Sequence, residues 1–529
     1  MIETIALSRK NLNLFSNEEL DLIYNQSELQ DLIGLPFSSA NIKNQIDLKK
    51  ESFDQTKRAL ISKTLEENYR EIDNKEAVTK NINLLKENST FTITTGHQIC
   101  LYGGPLYFFI KILHVIKLCE KLKEQYPSNH FVPVFWMASE DHDSLEIESL
   151  SVFNKTLTWD HKQEGAVGEY STQNISTVQN ELLELFRGEK EIECYLKAMK
   201  GDNYGDAFRS WLHYIFGDRG LVVLDANQKE LKSTMKPHFT KELVEQFSNQ
   251  CIENTNTLLK SKNRKPQIHS REINLFYMHG GERKRIVKEK DTYLLGNLKL
   301  REKELLELVD NAPERFSPNV ALRPLYQEVI LPNLCYVGGM AELKYWTQLK
   351  NIFKRSSIPY PMLQMRSNIL WIDKASSKTI YQVGFRPDDL LQSRTALEKQ
   401  VINKADPNPI DKITIEKHQA SIRELYHNAI LQDNGMKSWI GAELNKLDKL
   451  NHALQVKIEK AKKNSFESQV KKISKLKERL FPKQKLQERS VNLLHFCNQA
   501  GPKQRIADLY NALNPLSTDF TIIIENETK

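Results

Sequence analysis

The chain has 529 residues, 40% of them hydrophobic and 27% charged, with a formal net charge of +7. That length exceeds one ordinary core and predicts two or three structural units, and the composition is that of a soluble globular protein. No run of about 18 apolar residues occurs, so no transmembrane helix is expected, and Met1-Ile2-Glu3-Thr4 lacks the basic and apolar regions of a signal peptide.

Residues 1–88 read as mostly helical and polar, with few breakers. From Phe91 the pattern changes. Phe91-Thr92-Ile93-Thr94 is a short strand, and Thr95–Pro105 is the turn that follows it. Pro105 opens a helix in which Leu106, Phe109, Ile110, Leu113, Ile116 and Leu118 recur at three- and four-residue spacings. Phe131–Met137 is the next strand, which completes a βαβ unit with an expected right-handed crossover. Gly220–Asp225 reads as a buried strand ending in an acid. Asn333–Val337 is another, closed by Gly338-Gly339 and followed by a helix from Met340 to about Lys354. The mixed regions 150–215 and 226–320 read as insertions covering the top of a parallel sheet.

After about residue 375 the strand signal fades. Ile440, Leu444, Leu447, Asn451, Leu454, Ile458 and Ala461 follow a heptad pattern, which resumes after a phase shift with Val470, Ile473, Lys477 and Leu480. This predicts a helical hairpin or coiled coil, ended by Pro482. Lys437 to Arg489 holds 15 Lys+Arg against 6 Asp+Glu, a local +9. Such a segment suits nucleic acid or a phosphorylated ligand, although a solvated helix surface is the favoured reading. Asp519–Ile524 reads as a last strand returning to the core.

Two loops carry the candidate chemistry, because ligands bind where the strands of an open α/β sheet end. In the first, Gly96, Gly103 and Gly104 allow close backbone approach, and the helix N-terminus after Pro105 favours an anion. His97 and Gln98 are polar where a purely structural turn needs only glycine. Neither GxGxxG nor GxxxxGK[ST] occurs, which disfavours a dinucleotide fold or a P-loop. In the second, Glu140-Asp141-His142-Asp143 packs three carboxylates around one imidazole. General base catalysis, zinc or manganese ligation and a bare helix N-terminus are all open, though adjacent residues cannot all face one ion. Cys100 near His97 allows a Cys–His nucleophile, but a packed thiol is favoured. The six cysteines form no CxxC pair, which argues against a structural zinc or disulfides and for a reducing, cytoplasmic setting. A second constellation joins Asn319 and Arg323, a bidentate carboxylate ligand, to Gly338, Gly339 and Glu342 in a first helical turn.

Taken in order, the runs TGHQ with GGPLYFFIKI, VPVFWMASEDHD, FSPNVALRPLYQE and YVGGMAELKYW, with Gln487-Glu488-Arg489, closely resemble the bacillithiol biosynthesis cysteine-adding enzymes over about residues 91–489. The resemblance implies an α/β protein. Its Rossmann-like parallel-sheet core, residues 1–375, carries connecting-peptide-like insertions; a dimerising helical coiled coil occupies 376–500, and a tail, 501–529, returns to the core. It implies a reaction joining L-cysteine by an amide bond to the amine of glucosaminyl-malate. The family's glycine turn falls on Gly96, His97, Gln98, Gly103, Gly104 and Pro105, its acidic loop on Glu140, Asp141, His142 and Asp143, and its later motif on Asn319, Arg323, Gly338, Gly339 and Glu342. His97 stands where Gln is common, and Met340-Ala341 where Pro-Gly is usual. On this reading the turn binds phosphates or the cysteine carboxylate, Arg323 a malate carboxylate, and His142, oriented by Asp141 or Asp143, deprotonates the sugar amine. ATP is the candidate activator and no metal is expected. An RNA-binding synthetase-like module and a non-catalytic pathway scaffold are the competing readings; nucleic acid and membrane are not expected partners.

Overall fold

Thr90–His97 is buried along nearly its whole length and lies at the centre of a five-stranded parallel sheet. The order is Met362–Met365, Asn333–Gly338, Thr90–His97, His130–Met137, Val222–Asp225, with every neighbouring pair parallel. The chain thus lays strands outward on one side of Thr90–His97 and then returns to its other side, the Rossmann-like order. The computed structural model describes residues 2–405 and 412–526. They form two units, Thr4–Leu370 with Gln487–Ile523, and one built on Trp371–Leu486.

In the larger unit the helix Tyr107–Gln125 crosses over between Thr90–His97 and His130–Met137. Val115, Leu118 and Leu122 on that helix pack with Phe91, Ile93, Phe131 and Val337 of the strands. Burying each such side chain contributes about 1.5–3 kcal/mol. Two segments interrupt the parallel order. The first carries a hairpin, Ser149–Val152 with Lys155–Thr158, and the helices Ile175–Leu185, Lys190–Lys197 and Tyr204–Phe216. The second carries helices and a five-stranded antiparallel sheet in the order Leu298–Arg301, Thr292–Leu295, Glu282–Glu289, Leu275–His279, Phe316–Pro318. The parts of Ile2–Leu7, Phe520–Glu525 and Asn368–Ile372 in this unit form a separate three-stranded sheet.

Several elements differ from the sequence expectations. Ile2–Leu7 is a strand in a stretch read as helical. The first core strand runs on through Gly96 and His97, so the turn begins only at Gln98. The helix expected from Met340 to about Lys354 is two helices, Met340–Trp346 and Lys350–Arg355.

The smaller unit is helical: Lys374–Gln382, Arg394–Ala405, Lys412–Gln432, Lys437–Ser465 and Glu467–Leu480. The heptad phase shift falls where the last two are separated, at Phe466 (φ −109°, ψ 24°). Val470, Ile473, Leu476 and Leu480 are buried. Lys477, expected on the seam, instead donates to the carbonyls of Leu390 and Gln392 at 2.8 and 3.0 Å. Among the described residues no helix is long and apolar enough to cross a membrane.

Candidate active site

The strands Thr90–His97 and Asn333–Gly338 are neighbours whose following connections leave on different sides. A crevice opens at such a switch point. Here it is a cavity of about 490 Å³, lined by Gly96, His97 and Gln98 from the first strand end and by Tyr336 and Glu342 from the second. Trp136 and the loop Glu140–His142 line it from the third strand, with Arg283, Asn319 and Arg323 from the insertion and the helix after it.

Glu342, partly buried in the lining, pairs with the buried Lys111 behind it. Lys111 Nζ lies 2.5 Å from Glu342 Oε2 and donates to the Gly96 carbonyl at 2.9 Å. Glu342 also accepts from the Tyr336 hydroxyl at 2.5 Å and the Gly339 N–H at 2.7 Å. Burial alone would raise the Glu342 pKa, but Lys111 and these donors hold it below the ordinary value, so it is a carboxylate. Met340 and Ala341 therefore sit in a helix start that Glu342 caps, and no glycine or proline is needed there. Gly338 is closely packed: a Cβ on it would lie 3.0 Å from Leu343 Cδ1 and 3.1 Å from Tyr336 Cε1, so those side chains would have to shift slightly. Gly339 holds Glu342 through its N–H, and neither glycine lines the cavity.

His97 is neutral, because burial and then Lys111 push its pKa down to about 4. Its Nδ1–H donates to the Gln98 carbonyl at 2.9 Å, so Nε2 accepts from the Tyr107 hydroxyl at 2.8 Å. Both ring nitrogens are engaged. Cys100 lies 3.8 Å from the same Nδ1, and burial raises its thiol well above its ordinary value. It is a packed thiol.

The acidic loop is tied to the insertion. Asp141 Oδ2 accepts from Gln98 Nε2 at 2.5 Å, and Oδ1 from the His142 backbone N–H at 2.8 Å and Arg283 Nη1 at 3.3 Å. Glu140 pairs with the fully buried Lys232 and accepts from the Ser317 hydroxyl at 3.2 Å. Asp143 is exposed, precedes the short helix Ser144–Ile147 and does not line the cavity. Two groups remain open. The Arg323 guanidinium lies 5.5 Å from the Trp136 ring and 5.6 Å from the Tyr336 ring. Its Nη1 donates to Gln327 Oε1 at 3.2 Å and the Tyr345 hydroxyl lies close enough to the guanidinium to interact with it, while the buried Nη2 makes no hydrogen bond of ordinary geometry among the described residues. Gln98 Oε1 is buried and open in the same way. Asn319 is committed: it donates to Asn274 Oδ1 and accepts from the Ala321 N–H, each at 2.8 Å.

Gly103, Gly104 and Pro105 do not line the cavity, which corrects their expected ligand-binding role. Gly103 and Gly104 have φ of +78° and +61°, and a Cβ on Gly103 would lie 2.7 Å from Phe108. Asn492 Nδ2 donates to the carbonyls of Tyr102 and Gly104 at 2.9 and 2.6 Å, and the Leu106 N–H donates to the Val491 carbonyl at 2.7 Å. The turn is closed by protein, so its glycines serve conformation and packing. Lys111, Lys232 and Arg283 complete the site without having been singled out in the sequence. No group of three or more His, Cys, Asp or Glu able to hold a metal occurs among the described residues.

The parallel strand order, with an open cavity at its switch point, defines a Rossmann-like protein. Residues 2–367 match the family model for the bacillithiol biosynthesis BshC N-terminal Rossmann-like domain, and residues 369–525 that for the BshC C-terminal coiled-coil domain. The chain belongs to the bacillithiol biosynthesis BshC family. It is similar to proteins named "Putative cysteine ligase BshC" from Flavobacterium johnsoniae (36% identical; 98% of this chain and 99% of the relative) and Flavobacterium psychrophilum (35%; 98% and 99%). One of the same name from Bacillus cereus is 25% identical, covering 91% of this chain and 93% of the relative.

Proposed function

We propose that the protein is a cytoplasmic cysteine ligase that joins L-cysteine to the amine of glucosaminyl-malate by an amide bond. The observation that carries this reading is the pair of open, buried groups in one cavity: the donor Arg323 Nη2 and the acceptor Gln98 Oε1. Leaving such groups unpaired costs about 1–3 kcal/mol each, so they favour a ligand that brings a carboxylate to one and an N–H to the other. Arg323 takes a malate carboxylate. Gln98 Oε1 and the Asp141 carboxylate receive the amine.

Amide formation from a free carboxylate is uphill in water, so the cysteine carboxyl group has to be activated. ATP as co-substrate supplies the leaving group. The Gly103–Pro105 turn offers its phosphates no seat, because Asn492 and Val491 occupy it. In the final step the amine nitrogen attacks the acyl carbon, the C–N bond forms, and the leaving group departs with its bonding pair. The surplus proton passes to Asp141 and solvent. The protein acts as a homodimer held by its helical unit, where Trp439, Leu450 and Leu454 are exposed.

The test is purified protein with cysteine, ATP and glucosaminyl-malate, read by mass spectrometry. Product that needs all three supports the reading. Equal product without ATP removes ATP activation, and no product even from pre-activated cysteine removes the ligase in favour of a scaffold.

A further inference from the structure

Arg283 and His142 meet side chain to side chain at the edge of the cavity. Arg283 lies in the strand Glu282–Glu289 of the antiparallel sheet, and its side chain is only 8% exposed. It lies 4.1 Å from the Phe276 ring centroid. Nε donates to the Ser317 hydroxyl at 3.1 Å and Nη2 to the Pro318 carbonyl at 3.2 Å. Those contacts aim Nη1 at the acidic loop, where it meets Asp141 Oδ1 at 3.3 Å and His142 Nδ1 at 3.1 Å. Nη1 carries two hydrogens, one for each. A guanidinium has no acceptor, so a hydrogen on His142 Nδ1 would face another hydrogen at that distance. The competing partner for an Nδ1–H is Asp141 Oδ1, farther off at 3.4 Å and already accepting from the His142 N–H and from Arg283.

We infer that Arg283 is a positioning residue that holds His142 in its Nε2–H tautomer, so that the ring presents a hydrogen-bond donor, not a base, to the cavity it lines. The inference rests on the ligase reading and deepens it. As the amine attacks the activated cysteine, the acyl oxygen gains negative charge, and a fixed N–H aimed at it stabilises that charge. The proton leaving the amine goes to a carboxylate acceptor, with Asp141 adjacent. This replaces the general-base role expected for His142.

The tautomer is read without any substrate. Full-length protein labelled with 15N at its histidine rings is examined by magic-angle-spinning NMR, with His142→Gln assigning the signals. In the wild type, His142 shows a bare Nδ1 and a protonated Nε2. In Arg283→Leu the Nδ1–H form gains population, since Asp141 becomes the nearest partner, while the other histidine signals stay in place. A wild-type His142 protonated at Nδ1 overturns the inference, even if Arg283→Leu does not fold. So does a tautomer unchanged in a folded Arg283→Leu.

Turnover supplies the second readout. Glutamine can place an N–H where His142 Nε2–H stands, so His142→Gln should keep activity within about tenfold of wild type, whereas His142→Ala loses about 10²–10³ in kcat. Equal losses in the two variants would restore the base. If wild type makes no product at all, the ligase reading fails while the NMR result still decides the tautomer.

Discussion

A guanidinium with one open Nη2 between two aromatic rings is poised for an anion. Arg323 keeps its charge despite burial, because Tyr345, Tyr336 and Glu342 more than offset the desolvation and raise its pKa. Replacing it with Met removes the charge-assisted contact, worth about 1.5–3 kcal/mol. KM for the carboxylate-bearing substrate should then rise about 10- to 150-fold, with Tm held or increased because the unsatisfied atom is gone. Arg323→Lys should fall in between, since Lys lacks the planar fork; unchanged KM in both would remove the carboxylate seat. A second buried group reports on stability. His114 is fully buried with Nδ1 3.0 Å from Ser367 Oγ, and burial, with Arg9 and Arg366, lowers its pKa to about 4. Unfolded, it titrates near 6.5. Between those values the unfolded chain binds a proton that the native state refuses. Stability is therefore full above pH 6.5 and falls as pH drops toward 4, by about 3 kcal/mol from this group. His97 acts in the same direction. Urea midpoints measured from pH 7 to 4 should decline less steeply in His114→Gln than in wild type.

At the scale of elements, the turn before Tyr107–Gln125 is a strut and not a ligand loop. Asn492→Ala deletes both hydrogen bonds to its carbonyls and should lower stability by about 1–3 kcal/mol while leaving KM for every substrate in place. A KM change at full stability would return the turn to the binding site. The sequence located the ends of the core strands to within a few residues: it closed the first at Thr94, three residues short of His97, and another at Val337, one short of Gly338. It did not show what fills the space beyond those ends. Asn492 is far from Gly104 along the chain, so no local pattern joins them. Lys111 stands among Phe109, Ile110, Ile112 and Leu113, where helical spacing marks only the apolar face. Arg283 lies in Glu-Arg-Lys-Arg, a stretch indistinguishable in sequence from a solvated edge; only the folded hairpin separates the buried arginine from its exposed neighbours.

At the scale of the whole molecule, the helical unit has more apolar surface than its own packing covers. Ile440 is buried, as its heptad position requires, yet Leu454 on the same seam is 48% exposed, and Trp439 and Leu450 stand open beside it. Offsets of eleven and four residues bring Trp439, Leu450 and Leu454 onto one face of Lys437–Ser465. Lys412–Gln432 packs against that helix, with Arg423 paired to Asp448 at 2.6 Å, and it carries exposed Leu425 and Leu431 of its own. Exposed apolar residues sharing a helix face suit an association surface, and the prediction is that a second copy of the same hairpin covers it. Sedimentation velocity on the wild type at micromolar concentration should give a dimer of the 61.5 kDa chain. Leu450→Glu combined with Leu454→Glu places two charges on the stripe and should give a monomer with unchanged helical circular dichroism. The cavity residues all belong to the larger unit, so a monomer that retains ligand binding would assign the hairpin to assembly alone. A wild type that sediments as a monomer would leave the stripe to another partner.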